Sequence, residues 1–243
     1  VLKVDLHSHS LFSACGLHTI IEMLSYAKSV GLKALAVTDH GTALGRQVPS
    51  PFFDRLSSDV VKGIRLLKGQ ESNVLGDSGA IDFPVKFLRF TDVVLVGLHP
   101  NVDPLPKRPD YTDMLLLSLK KNPYVDVITH LNDPAFPVDF DRIAAAAKLS
   151  GMAVEFNNSK VLYKRVANDI TARLIDACKK AGCRVVVNSD AHALHEIGLD
   201  GSIRPLIEKA SFPKQLIVNE TSRRAFDFIE ERRKVKRAFC ANN

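Results

Sequence analysis

The sequence predicts an α/β barrel of parallel strands, and three observations lead there. Short runs rich in Val, Ile and Leu alternate with amphipathic stretches along nearly all 243 residues. That is the pattern of strands buried on both faces with helices packed outside them. Two amphipathic stretches end in glycine and pass at once into the next run, in GLKALAVTDH and AGCRVVVNSD, the short helix-to-strand connection of α/β units. Finally, no glycine-rich phosphate loop follows any run. This takes support from the dinucleotide-binding and P-loop forms of the runner-up, a doubly wound open sheet.

The runs occupy residues 2–6, 34–37, 64–67, 93–98, 125–128, 152–156 and 185–187. Between them, Ile20, Met23, Leu24 and Ala27 recur at helical spacing before Gly31. Ile143, Ala146, Ala147 and Leu149 lead to Gly151, and Ile170, Leu174, Ala177 and Cys178 lead to Gly182. Seven strand–helix units without a break in composition favour one barrel domain over residues 1–243. A short run at 216–218 could add an eighth strand on sequence grounds. The stretch 221–235, opening TSRRAF, reads as a capped and very basic C-terminal helix followed by a short tail.

Composition narrows the class. Hydrophobic residues make up 46% and charged residues 25%, as in soluble globular proteins and unlike disordered or fibrous ones. No apolar run approaches the roughly 20 residues that span a bilayer, so no membrane partner is expected. No secretory signal is visible at the N-terminus, and Cys15, Cys178, Cys183 and Cys240 form neither a disulfide scaffold nor paired C-x-x-C units. A reducing cytoplasm is therefore expected. The formal net charge of +6, much of it between Arg223 and Arg237, suits anionic partners: phosphorylated metabolites, nucleotides or nucleic acid.

Six of the eight histidines fall just past the C-terminal end of an apolar run. His7 and His9 end the first, His40 follows the second, His99 the fourth, His130 the fifth and His192 the seventh, while Glu71 follows the third. In parallel α/β folds this is the edge where loops converge and chemistry is built. Alternation along a strand points Asp5, His7 and His9 the same way, and two imidazoles at i, i+2 can chelate one metal. Asp190 and His192 repeat that spacing with a carboxylate, a donor set suited to zinc, manganese or iron. Taken singly, each residue has an ordinary structural explanation. Gathered at one rim, six imidazoles and two carboxylates exceed what one tetrahedral ion needs and suffice for two or three metals.

The set DLHSH, TDH, a Glu after the third strand, a lone His after the fourth and fifth, and SDAH resembles the four-motif signature of the PHP (polymerase and histidinol phosphatase) family. Phrases such as GIRLLKGQESN, GLHP, VEFNNS and SRRAFDFIEER make the chain similar to small stand-alone bacterial PHP phosphatases up to about Glu231. The resemblance implies a distorted, TIM-barrel-like (βα)7 barrel and argues against an eighth strand at 216–218. It implies a first metal on His7, His9, Glu71 and Asp190. Glu71 would bridge to a second metal completed by His99 and His130, and His40 and His192 would hold a third. The family commonly presents a further His to the third metal at the position of Cys15. Here a Cys15 thiolate could take its place, His18 three residues later could supply a nitrogen, or neither is used.

Such metals suit phosphate ester hydrolysis, with a metal-bridging hydroxide as nucleophile and the ions neutralising the phosphate oxygens. Zinc is the first expectation among the metals, with manganese or iron as alternatives. Arg46, Lys107 and Arg108 on rim loops are candidates to bind phosphate. Asn157 and Asn158 are placed to bind substrate or orient Glu155, and Asp5 to orient His7. The reading is a metal-dependent phosphatase of small phosphate monoesters. A PHP-type nuclease of DNA repair is the alternative, although no interleaved aromatic and basic stretch suggests a strand-binding groove. A non-catalytic metal-binding domain is a third reading, disfavoured by the intact ligand set. Oligomeric state is not legible.

Overall fold

The structure, a computed structural model, describes residues 1–44, 48–102 and 110–242. The apolar runs become the strands β1 (Val4–Asp5), β2 (Ala34–Val37), β3 (Arg65–Leu75), β5 (Val93–Gly97), β6 (Val127–Ile128), β7 (Ala153–Asn157) and β8 (Arg184–Asn188), with a short β4 (Ala80–Ile81) after β3. Apart from β4 they pair in parallel in the order β1-β2-β3-β5-β6-β7-β8. The sheet curls until its first and last strands meet at a sparse seam. There, Ser8 bridges Ala191, His9 N–H donates to the Ala191 carbonyl at 2.8 Å, and Leu6 N–H donates to Asn188 Oδ1 at 3.0 Å. The result is a seven-stranded barrel, nearly closed.

Helices α1 (Ile20–Ser29), α2 (Ser50–Asp54), α3 (Tyr111–Lys121), α4 (Phe140–Leu149), α5 (Asn158–Leu162), α6 (Asn168–Ala181), α7 (Arg204–Lys209) and α8 (Ser222–Asn242) complete the chain. Their limits follow local chemistry. Thr19 and Glu22 form a reciprocal capping box at the start of α1. Gly182, at φ 66°, ends α6 in the left-handed conformation that a glycine adopts without steric cost and turns the chain straight into β8. Among the described residues no helix is long and apolar enough to cross a membrane.

Three departures from the sequence reading bear on the site. The third run continues well beyond residue 67, so Glu71 lies inside β3 rather than after it. The extension holds because β4 folds back antiparallel on Val74 and Leu75 while β5 pairs alongside. Residues 216–218 give a single bridge from Ile217 to Val185 after a 3-10 turn, not a strand. The C-terminal helix also runs on to Asn242, past the expected end at 235.

That helix explains part of the basic excess. Val4, Leu6, Ala36, Leu67, Leu95, Val127 and Val186 fill the barrel interior, and Ala225, Phe228 and Ile229 of α8 close it at the N-terminal ends of the strands. Beside them Arg232 and Lys236 are each only 2% exposed. Arg232 donates to Asp126 Oδ1 at 3.1 Å and to the carbonyls of Pro123, Val125 and Ser150. Lys236 pairs with the other oxygen of Asp126, and Arg233 with Asp92. These cations are counter-ions inside the fold, so the net charge overstates the surface available to an anionic partner.

Candidate metal centre at the barrel rim

Short strands put the candidate ligands on one rim because each chain leaves the sheet within a few residues of its last inward side chain. Two candidate ligands sit at the turn itself: His130 at φ 31° and Asp190 at φ 53° hold left-handed backbone conformations uncommon for residues with a Cβ. Gly97 makes room for the neighbouring rings. A Cβ there would lie 2.4 Å from Thr129 Oγ1 and 3.0 Å from both the His99 and His130 rings.

Glu71 is the centre of the arrangement. Its Oε2 lies 3.2 Å from His7 Nε2, 3.4 Å from His9 Nε2 and 3.0 Å from His40 Nδ1. Its Oε1 lies 3.2 Å from His99 Nε2 and 2.9 Å from His130 Nε2. One carboxylate thus faces two imidazole sets, one with each oxygen. Asp190 Oδ1 joins the first set, 3.5 Å from His7 Nε2 and 3.3 Å from His9 Nε2. His192 stacks on His9 with ring centroids 4.6 Å apart. Cys15 lies with His9 and His192 so that one ligand atom from each falls within 4.8 Å of the others. His40 joins Glu71 and His99 in a second such group, and His7, His9 and Glu71 make a third.

Burial and mutual charge set the ionisation. Burial opposes ionisation of Glu71, yet the surrounding imidazoles of His7, His99 and His40 outweigh it and hold the carboxyl well below its ordinary range. Asp190 is held low in the same way, by His7 and His9. Burial pushes His9 down to about 3, helped by repulsion from His40. It also lowers His99 despite the attraction of Glu71. For His7, Glu71 and Glu155 overcome burial and raise the imidazole well above its usual value. Burial opposes ionisation of the Cys15 thiol, yet the neighbouring imidazoles of His192 and His40 outweigh it and bring the thiol down to about 7.

Behind these groups stands Glu155, which sequence reasoning named only as something to be oriented. Its Oε1 accepts from His7 Nδ1 at 2.7 Å and from Asn188 Nδ2 at 2.9 Å. Its Oε2 accepts from His130 N–H at 3.0 Å and Asn157 Nδ2 at 2.9 Å. The isolated acid in the apolar stretch VEFNN was the available signal. Asp39 accepts from both the N–H and the hydroxyl of Ser10 and of Ser13, and so folds the loop after His9. Ser13 Oγ in turn meets His9 Nδ1 at 3.2 Å. Thr129 donates to Glu71 Oε1 at 3.0 Å. Glu196 accepts the N–H groups of His192 and Ala193.

The other residues singled out in the sequence take different places. Asn158 is 1% exposed, and its Oδ1 accepts the N–H groups of Ser202 and Ile203, so its carbonyl is committed to tying α5 to a loop instead of to a substrate. Asn157 does hold Glu155, and its Nδ2 also reaches Asp190 Oδ2 at 3.0 Å. Asp5 does not orient the His7 ring. Strand β1 ends at Asp5, and its carboxylate binds Ser189 and the N–H groups of Gly198 and His7. His18 sits in none of the three ligand groups found among the described residues. Arg46, Lys107 and Arg108 lie outside the described residues.

The donor set fits divalent metals. His7 and His9 bring their Nε2 atoms to 3.1 Å, and His130 and His99 theirs to 3.2 Å, around carboxylate oxygens that cannot satisfy all of them. His40 Nδ1 lies near Glu71 without making a hydrogen bond, although it is buried. A cation between such atoms removes the competition, since each nitrogen then donates a lone pair to it. Ions at adjacent positions sharing Glu71 could activate water and bind an oxyanion.

The PHP domain model matches residues 5–140. A protein named "Probable phosphatase" from Acetivibrio thermocellus is 34% identical over 233 residues, 95% of this chain and 96% of that one. A second of that name, from Tolumonas auensis, is 34% identical over 96% of this chain and 95% of its own. Among solved structures, histidinol phosphate phosphatase from Lactococcus lactis, complexed with zinc, L-histidinol and phosphate, superposes with a TM-score of 0.64. It shares 17% identity over 87% of this chain and 94% of its own, a likeness of fold.

Proposed function

Because the chain belongs to the PHP domain family, we propose that the rim site is the active centre of a metal-dependent phosphatase of small phosphate monoesters. Kinship over nearly the full length with relatives named as phosphatases makes the chain a hydrolase of phosphoric esters. The observation that carries the finer reading is the two-sided engagement of Glu71, one oxygen toward His7, His9 and His40 and the other toward His99 and His130.

In this reading His7, His9, Glu71 and Asp190 hold one divalent ion and Glu71, His99 and His130 a second. His40, His192 and Cys15 frame a third position. Divalent ions held by these residues would supply the Lewis acidity that activates water at neutral pH and offsets charge on the phosphate oxygens. The protein's own part is positioning. Glu155 fixes the His7 ring through Nδ1 so that Nε2 faces the site, and it holds the strained His130 backbone by its N–H. Thr129 holds Glu71 Oε1 from below. Zinc is the metal first proposed, with manganese or iron as alternatives, and the cytoplasm is the proposed compartment.

Turnover of a generic aryl phosphate tests the proposal. Activity should vanish on chelation, return with zinc or manganese, and fall at least a hundredfold in His99→Ala while the metal-free variant keeps the parent's melting temperature. Activity that survives complete metal removal would refute the mechanism. Preference for a single-stranded oligonucleotide over monoesters would move the assignment to a nuclease.

A further inference from the structure

Cys15 is an exposed residue, yet its thiol is not idle. The loop that carries it is built to bring it over the rim. Asp39 gathers Ser10 and Ser13, Leu11 N–H donates to the His18 carbonyl at 2.9 Å, and Leu17 N–H donates to the His192 carbonyl at 3.1 Å. The turn closes at Gly16, where a Cβ would stand 2.0 Å from the Ser10 carbonyl oxygen, so no larger residue permits this approach. The thiol then groups with His9 and His192, one ligand atom of each within 4.8 Å of the others, and the His40 ring lies against that of His9, with ring centroids 4.5 Å apart. His192 Nδ1 is taken up by the Asp190 carbonyl at 2.9 Å, which leaves Nε2 as its ligand nitrogen. The remaining cysteines are elsewhere: Cys178 and Cys183 are buried in the main core cluster and Cys240 sits near the end of α8.

Resting on the reading of this rim as a metal site, we propose that Cys15 is a thiolate ligand which, with His40 and His192, makes one metal position sulfur-nitrogen, zinc-preferring and sensitive to hydroperoxides. The other positions offer only imidazole and carboxylate donors and accept harder ions as well. Soft thiolate biases this one toward zinc. Exposure of Cys15 lets a hydroperoxide reach the sulfur. The thiolate attacks one peroxide oxygen, the O–O bond breaks, and the S–O bond of a sulfenic acid forms. Sulfur loses two electrons, and the departing hydroxide takes a proton to become water. Sulfenic acid is a poor ligand, so the ion at this position is released. A cellular thiol restores Cys15 through a mixed disulfide and a second thiol exchange.

Cobalt(II) loading gives a readout independent of turnover. The parent protein should show the near-ultraviolet thiolate-to-cobalt charge-transfer band. Cys15→Ser should lose the band together with one equivalent of metal, Cys15→His should keep the metal without the band, and His18→Ala should keep both. In the zinc-loaded parent, one equivalent of hydrogen peroxide should release about one zinc per chain, reversed by added thiol, whereas Cys15→His should release none. Absence of the band in the parent, its survival in Cys15→Ser, or equal zinc release from parent and Cys15→His would overturn the proposal. A band without phosphatase activity would instead leave the thiolate position standing and sink the assigned reaction.

Discussion

Replacing Glu155 by Gln is an isosteric change, and the structure makes it costly. Each carboxylate oxygen accepts two hydrogen bonds, from His7 and Asn188 on one side and from His130 N–H and Asn157 on the other. Whichever way a Gln amide is turned, its NH2 faces two donors. At least two hydrogen bonds to a charged acceptor are lost, each worth about 1.5–3 kcal/mol. Part of that loss falls on the folded chain as a lower melting temperature. Part falls on metal binding, because the His7 ring loses the partner that fixes its orientation and basicity. Loss of such a partner lowers metal affinity roughly 10–100-fold, or about 1.4–2.7 kcal/mol. Competition against a chromophoric chelator measures the affinity, and thermal melting of the metal-free protein measures the rest. Glu155→Asp, which keeps the charge on a shorter arm, should fall between Gln and the parent. If Glu155→Gln matches the parent in both zinc affinity and melting temperature, the positioning argument is wrong.

Two further outcomes are expected. Arg232→Met should destabilise the fold by about 3–5 kcal/mol, since it strands the buried Asp126 carboxylate with Lys236 alone, while turnover per folded molecule stays at the parent's level. Chemical denaturation checks this, and a loss under 1 kcal/mol would contradict the account of α8 as a charged plug. The metal-free protein should lose stability as pH climbs. Against burial, Glu71 and Cys15 raise His40 to about 10, and Cys15 and Asp190 raise His192 to about 9. A folded pKa above the unfolded one gives stability that is complete below pH 6.5 and disappears as pH rises through 9 to 10. Cys15, down at about 7, works in the opposite sense but is one group against two. A melting temperature that rises from pH 6.5 to 10 would contradict the assigned shifts.

What the sequence displays and what it hides have a common physical cause. Burial on both faces forces a strand to be apolar along its whole run, so the runs show themselves, and the candidate ligands stand out as the polar residues that follow them. His40, His99, His130 and His192 were legible in this way. Partners were not, because a carboxylate becomes a positioning group only through contacts distant in sequence. Glu155 meets His7 across 148 residues, and Arg232 meets Asp126 across 106. From sequence the first is merely an acid in a strand and the second one more cation on a basic helix. Side-chain parity misled at Asp5 because the strand it was applied to ends there. Alternation is a property of extended backbone, and it lapses once the chain turns toward the rim.

The same turn creates the site's chief demand on the fold. Gathering Glu71, Asp190, Glu155 and six imidazoles at the top of the barrel buries charge and holds His130 and Asp190 at unfavourable dihedrals. A strained non-glycine dihedral costs about 1–3 kcal/mol and persists only where surrounding structure over-determines it. That structure lies lower in the barrel, in an interior of Val, Leu and Ala closed by α8. It follows that α8, remote from every proposed ligand, should influence metal binding only by shifting the folded population. The rim residues Glu155, Asp39 and Thr129 should alter affinity in protein that remains folded.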